Sequence, residues 1–287
     1  TMRTIKMLSA AIMLLALAGL SSCQKNNVSA PDSATILATD NARIDNESNK
    51  LEDVANAVAE SKGFELNNGK LQGGALLSIL PACATVTIDT LSNPHSIVID
   101  FGSTPCLCDQ WDNLYRQGVL TVTWSGPYRE KNTVITYNTS NYYRGASPDQ
   151  MDQISISKTV TNAGPNESGN LVYHIVNTGS MTTYDGQSST WSADKLKEWV
   201  EGESTIDRAD DVYKYTGTMS GTNLNGVVFN ATIVTPLTKD ACNWYVSGVV
   251  DIQRDNLPKV TLDYGNGLCD DQATVTVNGQ TKTITLH

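Results

Sequence analysis

Three histidines stand in the chain, His95, His174 and His287. None lies at metal-ligand spacing from another, so neither a catalytic metal centre nor any other cofactor is expected. G-x-S-x-G, H-E-x-x-H and P-loop patterns are absent, which leaves acyl-transfer, zinc-hydrolytic and phosphate-cradling chemistry without a local signature. His174 sits in the alternating segment Leu171–Val176, where it reads as an ordinary strand residue. Paired carboxylates for glycoside hydrolysis need no local motif, and thirty acidic residues keep a glycan hydrolase open as an alternative. Asp263, Asp270 and Asp271 cluster near one another but lack calcium-loop spacing and read as a solvated turn. The remaining chemistry belongs to aromatic rings and thiols. Trp124, Tyr142, Tyr143, Trp191 and Trp199 lie in polar, strand-like surroundings of the type on which sugar rings stack, although the same residues also fill β cores.

Six cysteines, at 23, 83, 106, 108, 242 and 269, divide into an N-terminal one and five others. Around the first, Arg3 and Lys6 precede an apolar run from Met7 to Leu20, which is the pattern of a secretory signal peptide over residues 1–22. The run is too short for a good membrane span. Leu20-Ser21-Ser22-Cys23 resembles the lipobox of bacterial lipoproteins. That resemblance implies cleavage before Cys23 and acylation of both its sulfur and its new amine. Several acyl chains, at roughly 0.8 kcal/mol per buried methylene, make such an anchor durable. The alternative is an ordinary leader with an incidental cysteine. Gln24 occupies the place where Asp in such lipoproteins signals inner-membrane retention. The resemblance therefore points to the outer membrane, with the periplasmic or the outer face left open. Loss of Arg3 and Lys6 makes the net charge of −10 more negative by two, which argues against nucleic acid and anionic lipid as partners. The partners expected are the membrane, through the acyl anchor, and a glycan or another envelope protein.

Periodicity indicates the secondary structure that carries these groups. Residues 23–35 are polar and small and read as a flexible tether. Ile44, Leu51, Val54, Ala55 and Val58 recur at helical spacing, which predicts one amphipathic helix within 36–65, its apolar stripe packed on the β domain C-terminal to it. From residue 66 to 287 a single all-β domain is expected. Ala84, Val86 and Ile88 alternate with polar residues, as do Leu120, Val122 and Trp124, and Ile154 and Ile156. Residues 191–201 are read as strand rather than short helix. Ala273–Val277, Asn278-Gly279 and Gln280–Leu286 predict a hairpin with a type I′ turn, opposed residue numbers summing to 557. Turn-length gaps leave no room for parallel crossovers. The sheet is therefore an antiparallel meander, forming a curved sheet, a sandwich or a partly open barrel.

One pattern is written twice. Ile99–Cys106 reads IDFGSTPC and Leu262–Cys269 reads LDYGNGLC. Each copy closes a hairpin that opens with Ala-Cys, at Cys83 and at Cys242. In an exported, oxidising setting this predicts bridges Cys83–Cys106 and Cys242–Cys269, with Cys108 left over. Cross-pairing of the copies, as in Cys106–Cys269, is the rival. Each Gly (Gly102, Gly265) suits a positive-φ turn, each aromatic (Phe101, Tyr264) should pack inward, and each Asp can accept amide hydrogen bonds. The order C…IDFG…C, a Thr/Tyr-rich β region, then NGVVFNATIVTPL, CNW, DYGNGLCD and ATVTVNG resembles a family of uncharacterised bacterial envelope lipoproteins over about residues 35–287. That resemblance implies an anchored β domain and supplies no catalytic residues. The reading is a non-enzymatic envelope protein with a structural or ligand-binding role.

Overall fold

The computed structural model describes residues 30–61, 81–109, 112–205, 207, 209–255 and 257–286. Cys23 and the leader lie outside them. The first element is a helix, α1 (Ala30–Ser61). It begins inside the stretch expected to be tether, because Pro31 suits the first helical turn, where its missing N–H costs nothing.

The rest is strand. The first part comprises β1 (Thr85–Asp89), β2 (His95–Asp100), β3 (Cys106–Cys108), β4 (Leu114–Trp124) and β5 (Val134–Ser147). The middle comprises β6 (Gln150–Pro165), β7 (Leu171–Thr182), β8 (Ser188–Glu201), β9 (Val212–Thr222) and β10 (Val228–Lys239). The last part comprises β11 (Ser247–Arg254), β12 (Leu257–Asn266), β13 (Gln272–Val277) and β14 (Gln280–Thr285). All pair antiparallel with their sequence neighbours in one sheet, save that β2 pairs β4 and short β3 adds to the end of β4. Segment 191–201 is strand, as its alternation predicted. The terminal hairpin has the expected register, Ala273 opposite Ile284, with Asn278 and Gly279 both at positive φ.

β1 and β14 are the two edges and do not pair, so of the three expected arrangements the open sheet is the one formed. Laid flat, thirteen strands abreast would span about 60 Å. A helix with its side chains is only about 10–12 Å across. Yet the seven residues Asn41–Glu47 of α1, which rise only about 9 Å, meet β5, β6 and β8 and border β9, β10 and β11, and α1 also lies against β12, β13 and β14. The sheet must therefore curl around the helix. Register shifts between Gln117 and Val119, between Asn162 and Gly164, and between Thr232 and Leu237 mark bulges, which bend strands.

Burial follows the curl. Along β4 alternate residues from Arg116 to Trp124 are buried, and along β8 so are Ser189, Trp191, Ala193, Lys195, Lys197 and Trp199. The helix is enclosed on more than its apolar stripe. Asp40, Asn41, Asp45, Asn46, Glu47, Ser48, Glu52 and Asn56 are each under a tenth exposed, alongside Leu37, Ile44, Leu51 and Val54. An amphipathic pattern ordinarily leaves its polar face in water; here that face looks into the trough.

The doubled motif makes two equivalent corners. Cys83 and Cys106 are bridged with Cα atoms 5.9 Å apart, and Cys242 and Cys269 with Cα atoms 5.5 Å apart. Cys108 is a buried free thiol. Asp100 Oδ1 accepts the Gly102 N–H at 2.7 Å, and Asp263 Oδ1 accepts that of Gly265 at 2.8 Å. Gly102 has φ +82° and Gly265 φ +96°, the left-handed region in which a Cβ is strained. Phe101 and Tyr264 are buried, each set edge-on to a tyrosine, Tyr142 and Tyr245 respectively.

Candidate functional site

The strands facing the polar side of α1 carry cations in phase with their core residues. Lys158 stands between Ile156 and Val160 on the inward side of β6, and Lys195 and Lys197 stand between Ala193 and Trp199 on β8. All three are under a tenth exposed. Lys158 pairs with Glu52, Lys195 with Asp45, Arg144 with Glu47, and the helix's own Arg43 with Asp152. The Asn177 side-chain amide donates to Ser48 Oγ at 3.0 Å. A buried charge is tolerable only when it is paired and hydrogen-bonded, and these contacts meet that condition. They close this half of the trough.

Beside them the packing opens into a cavity of about 600 Å³, within the size range of small-molecule sites. Helix residues Asn46 to Asn56 form one wall. Lys197 of β8, Tyr213 and Tyr215 of β9, Lys239 of β10 and the segment 240–244 form the others, with Asp112 at the rim. The Cys242–Cys269 corner borders this opening. Cys242 lies in the segment that carries Trp244, and β3, which bears Cys106, leads into the turn that holds Asp112.

Most of the lining carboxylates are already engaged. Arg116 donates to both oxygens of Asp112, at 2.8 and 2.6 Å, and Glu52 holds Lys158. Asp211 accepts the Trp199 Nε1–H at 3.1 Å and the Tyr213 hydroxyl at 3.4 Å. Asp240 accepts the Cys242 amide at 2.8 Å. Asp53 is different. It opens onto the cavity, so its own surface reaches solvent there, while protein surrounds it on its other sides and burial pushes its carboxyl above the ordinary range. Burial lowers the ammonium groups of Lys50, Lys197 and Lys239 below theirs, against the opposing pull of nearby acids.

The aromatic residues expected as a sugar platform are not brought together. Trp124, Tyr142, Trp191 and Trp199 are buried in the core and Tyr143 is half-buried on the outer side of β5. Of these, only Trp199 borders the cavity, from behind, through Asp211. The ring with exposed surface on the cavity is the half-buried Trp244, whereas Tyr213 is covered by Lys197 and Tyr215 stands edge-on to Tyr245. His95 and His174 lie elsewhere, His95 against Trp124 and His174 paired with Asp194 in an exposed contact, and His287 lies outside the described residues. Among the described residues no group of three His, Cys, Asp or Glu is placed to hold a metal ion. No described helix is long and apolar enough to cross a membrane.

No protein family, curated protein or solved structure matches this chain. The cavity must therefore be interpreted from its own chemistry. The signal that would have located it is the phase of the lysines, since Lys158, Lys195 and Lys197 fall on the buried parity of their strands.

Proposed function

We propose that the protein is a lipid-anchored, non-enzymatic binding protein of the cell envelope, and that the cleft between α1 and strands β8–β10 holds a saccharide. One observation carries this reading: the packed trough leaves a large polar cleft walled by amides, fixed carboxylates and lysines, with the half-buried Trp244 in its lining. Sugars present hydroxyl groups to such donors and acceptors and an apolar face to such a ring. The leader and Cys23 support attachment to the outer membrane. The test of binding is an oligosaccharide array probed with the full-length protein in detergent. Retention of a glycan class that is lost on Trp244→Ala, with thermal stability unchanged, is the expected result; an array without any retained glycan refutes the saccharide reading. For the anchor, Cys23→Ala should move the protein from the membrane to the soluble fraction, and unchanged partitioning refutes it.

A carboxylate-dependent glycan hydrolase is the second reading, favoured by one feature. Asp53, whose carboxyl is held up by burial, shares the cleft with the hydrogen-bonded Asp211. Two carboxyls in unlike surroundings are what acid–base cleavage of glycosides uses. Mass spectrometry of bound oligosaccharides decides it: shortened products with the wild type and none with Asp53→Asn would replace binding by hydrolysis.

A further inference from the structure

The cleft holds cations that no described residue neutralises at close range. Lys197 is 5% exposed, its ammonium 4.3 Å from the centre of the Tyr213 ring, and no ion pair or hydrogen bond joins it to a side chain or carbonyl of the described residues. Lys50, on the opposite wall, likewise makes none among them. Among the described residues Lys239 reaches backbone carbonyls, those of Asp240 at 3.3 Å and of Cys242. This contrasts with Lys158 and Lys195, which are buried to the same degree as Lys197 and each hold a helix carboxylate. Among the described residues no acid lining the cleft stands at ion-pair distance from Lys197 or Lys50. Glu52 and Asp112 hold Lys158 and Arg116, while Asp211 and Asp240 accept neutral N–H and O–H donors and, with Asp53, act on the lysines only across a longer distance. A buried ammonium without a counter-ion costs free energy that a folded protein ordinarily avoids. An anion entering the cleft supplies that counter-charge and releases the cost on binding.

Building on the saccharide reading, we propose that the ligand is an anionic sugar, its carboxylate or sulfate seated between Lys197 and Lys50. Lysine is a compact point charge and does not by itself distinguish the two groups. Trp244 lies under the sugar ring, and Asn46, Asn49 and Asn243 meet its hydroxyls.

The experiment compares binding of uronate-bearing and sulfate-bearing oligosaccharides with their carboxyl-reduced and desulfated counterparts, by calorimetry on the full-length protein at low salt. The proposal expects the acidic members to bind at least tenfold more tightly than their neutral partners, and whichever acid series shows the preference identifies the anion. Lys197→Met should erase the preference, so that acidic and neutral members bind alike, and Lys197→Arg should keep part of it. Raised salt should weaken acidic binding and spare neutral binding. If acidic and neutral members bind equally and both are lost on Trp244→Ala, the anion proposal falls and the saccharide reading stands. If no member of either series binds, both fall. A Lys197→Met variant that unfolds is replaced by Lys50→Met, which sits at the half-exposed wall and is expected to reduce the same preference.

Discussion

The two halves of the trough use the same residue types to opposite ends. In the closed half, Lys158, Lys195 and Arg144 each meet a carboxylate on α1, and the helix is fastened to the sheet. In the open half, Lys197 is two residues along the same strand from Lys195, at the same parity and similar burial, yet faces the cleft without a carboxylate partner among the described residues. The sheet repeats its alternation, but the helix brings its acids to ion-pair distance in the closed half only; Asp53, which opens onto the cleft, makes no such contact with Lys197 among the described residues. Asp45 and Glu52 are seven residues apart and so share a helix face, as do Asp40 and Glu47. Charge alone does not distinguish a fastener from a binding group. What distinguishes them is whether the facing element brings a counter-charge.

The sharpest way to break this comparison is to remove one member of a closed pair. Lys158→Met leaves Glu52 buried without its ammonium partner and should destabilise the fold by about 3–5 kcal/mol in urea titration. Adding Glu52→Leu should recover most of that loss, because an apolar pair of similar size has no charge left to desolvate. A single substitution that costs nothing would show that the pair does not hold the helix.

The disulfide corners come next. Each bridge closes a segment with a sequence separation of 23 or 27 residues, which in the chain-entropy description contributes about 3.5 kcal/mol. Cys83→Ser with Cys106→Ser, and Cys242→Ser with Cys269→Ser, should therefore lower stability by similar amounts. Their effect on the cleft should differ, since Cys242 lies in the segment bearing Trp244 while Cys106 is connected to the rim only through β3 and Asp112. Saccharide binding should weaken more in the second double variant, and equal weakening would remove the distinction.

These corners were also the most legible part of the sequence. Asp, aromatic, Gly and Cys at fixed spacing specify an Asp-capped turn, a buried ring, a positive-φ residue and a bridge, all determined locally. The meander was legible for the same reason, since period-two alternation and the Asn278-Gly279 turn are short-range signals. The cleft was not. Trp124, Trp191 and Trp199 read as a possible sugar surface because strand propensity does not say which face is covered. The enclosure of the polar side of α1 was not legible because nothing local to residues 40–56 reveals a sheet curling over it. Lys158, flanked by Ile154, Ile156 and Val160 at the same parity, was the available clue, and its meaning depended on acids more than a hundred residues away.

Asp40 probes the same polar face through pH. Burial pushes its carboxyl from the ordinary 3.8 up to about 6, opposed by the Leu224 backbone and Arg43, and its Oδ2 has no hydrogen-bond partner. The folded state therefore holds this proton more tightly than the unfolded chain does. The resulting penalty is absent below about pH 4, grows through pH 4–6, and is complete above that, at about 3 kcal/mol for a shift of this size. Asp40→Asn should match the wild type at pH 4 and exceed it by roughly 1–3 kcal/mol at pH 7. An unchanged difference across that window would place the carboxylate in water.

The smallest expected effect is the most discriminating. Lys197→Met removes a buried ammonium that has no described carboxylate at ion-pair distance, so the desolvation it no longer suffers offsets the cation–π contact it loses with Tyr213. The net change in stability should stay within about 1 kcal/mol, against the several expected for Lys158→Met, although the two lysines are similarly buried. Equal destabilisation by both would mean that Lys197 fastens the helix as Lys158 does. The trough would then have one half rather than two, and only Lys50 and Lys239 would be left to offer positive charge to a ligand.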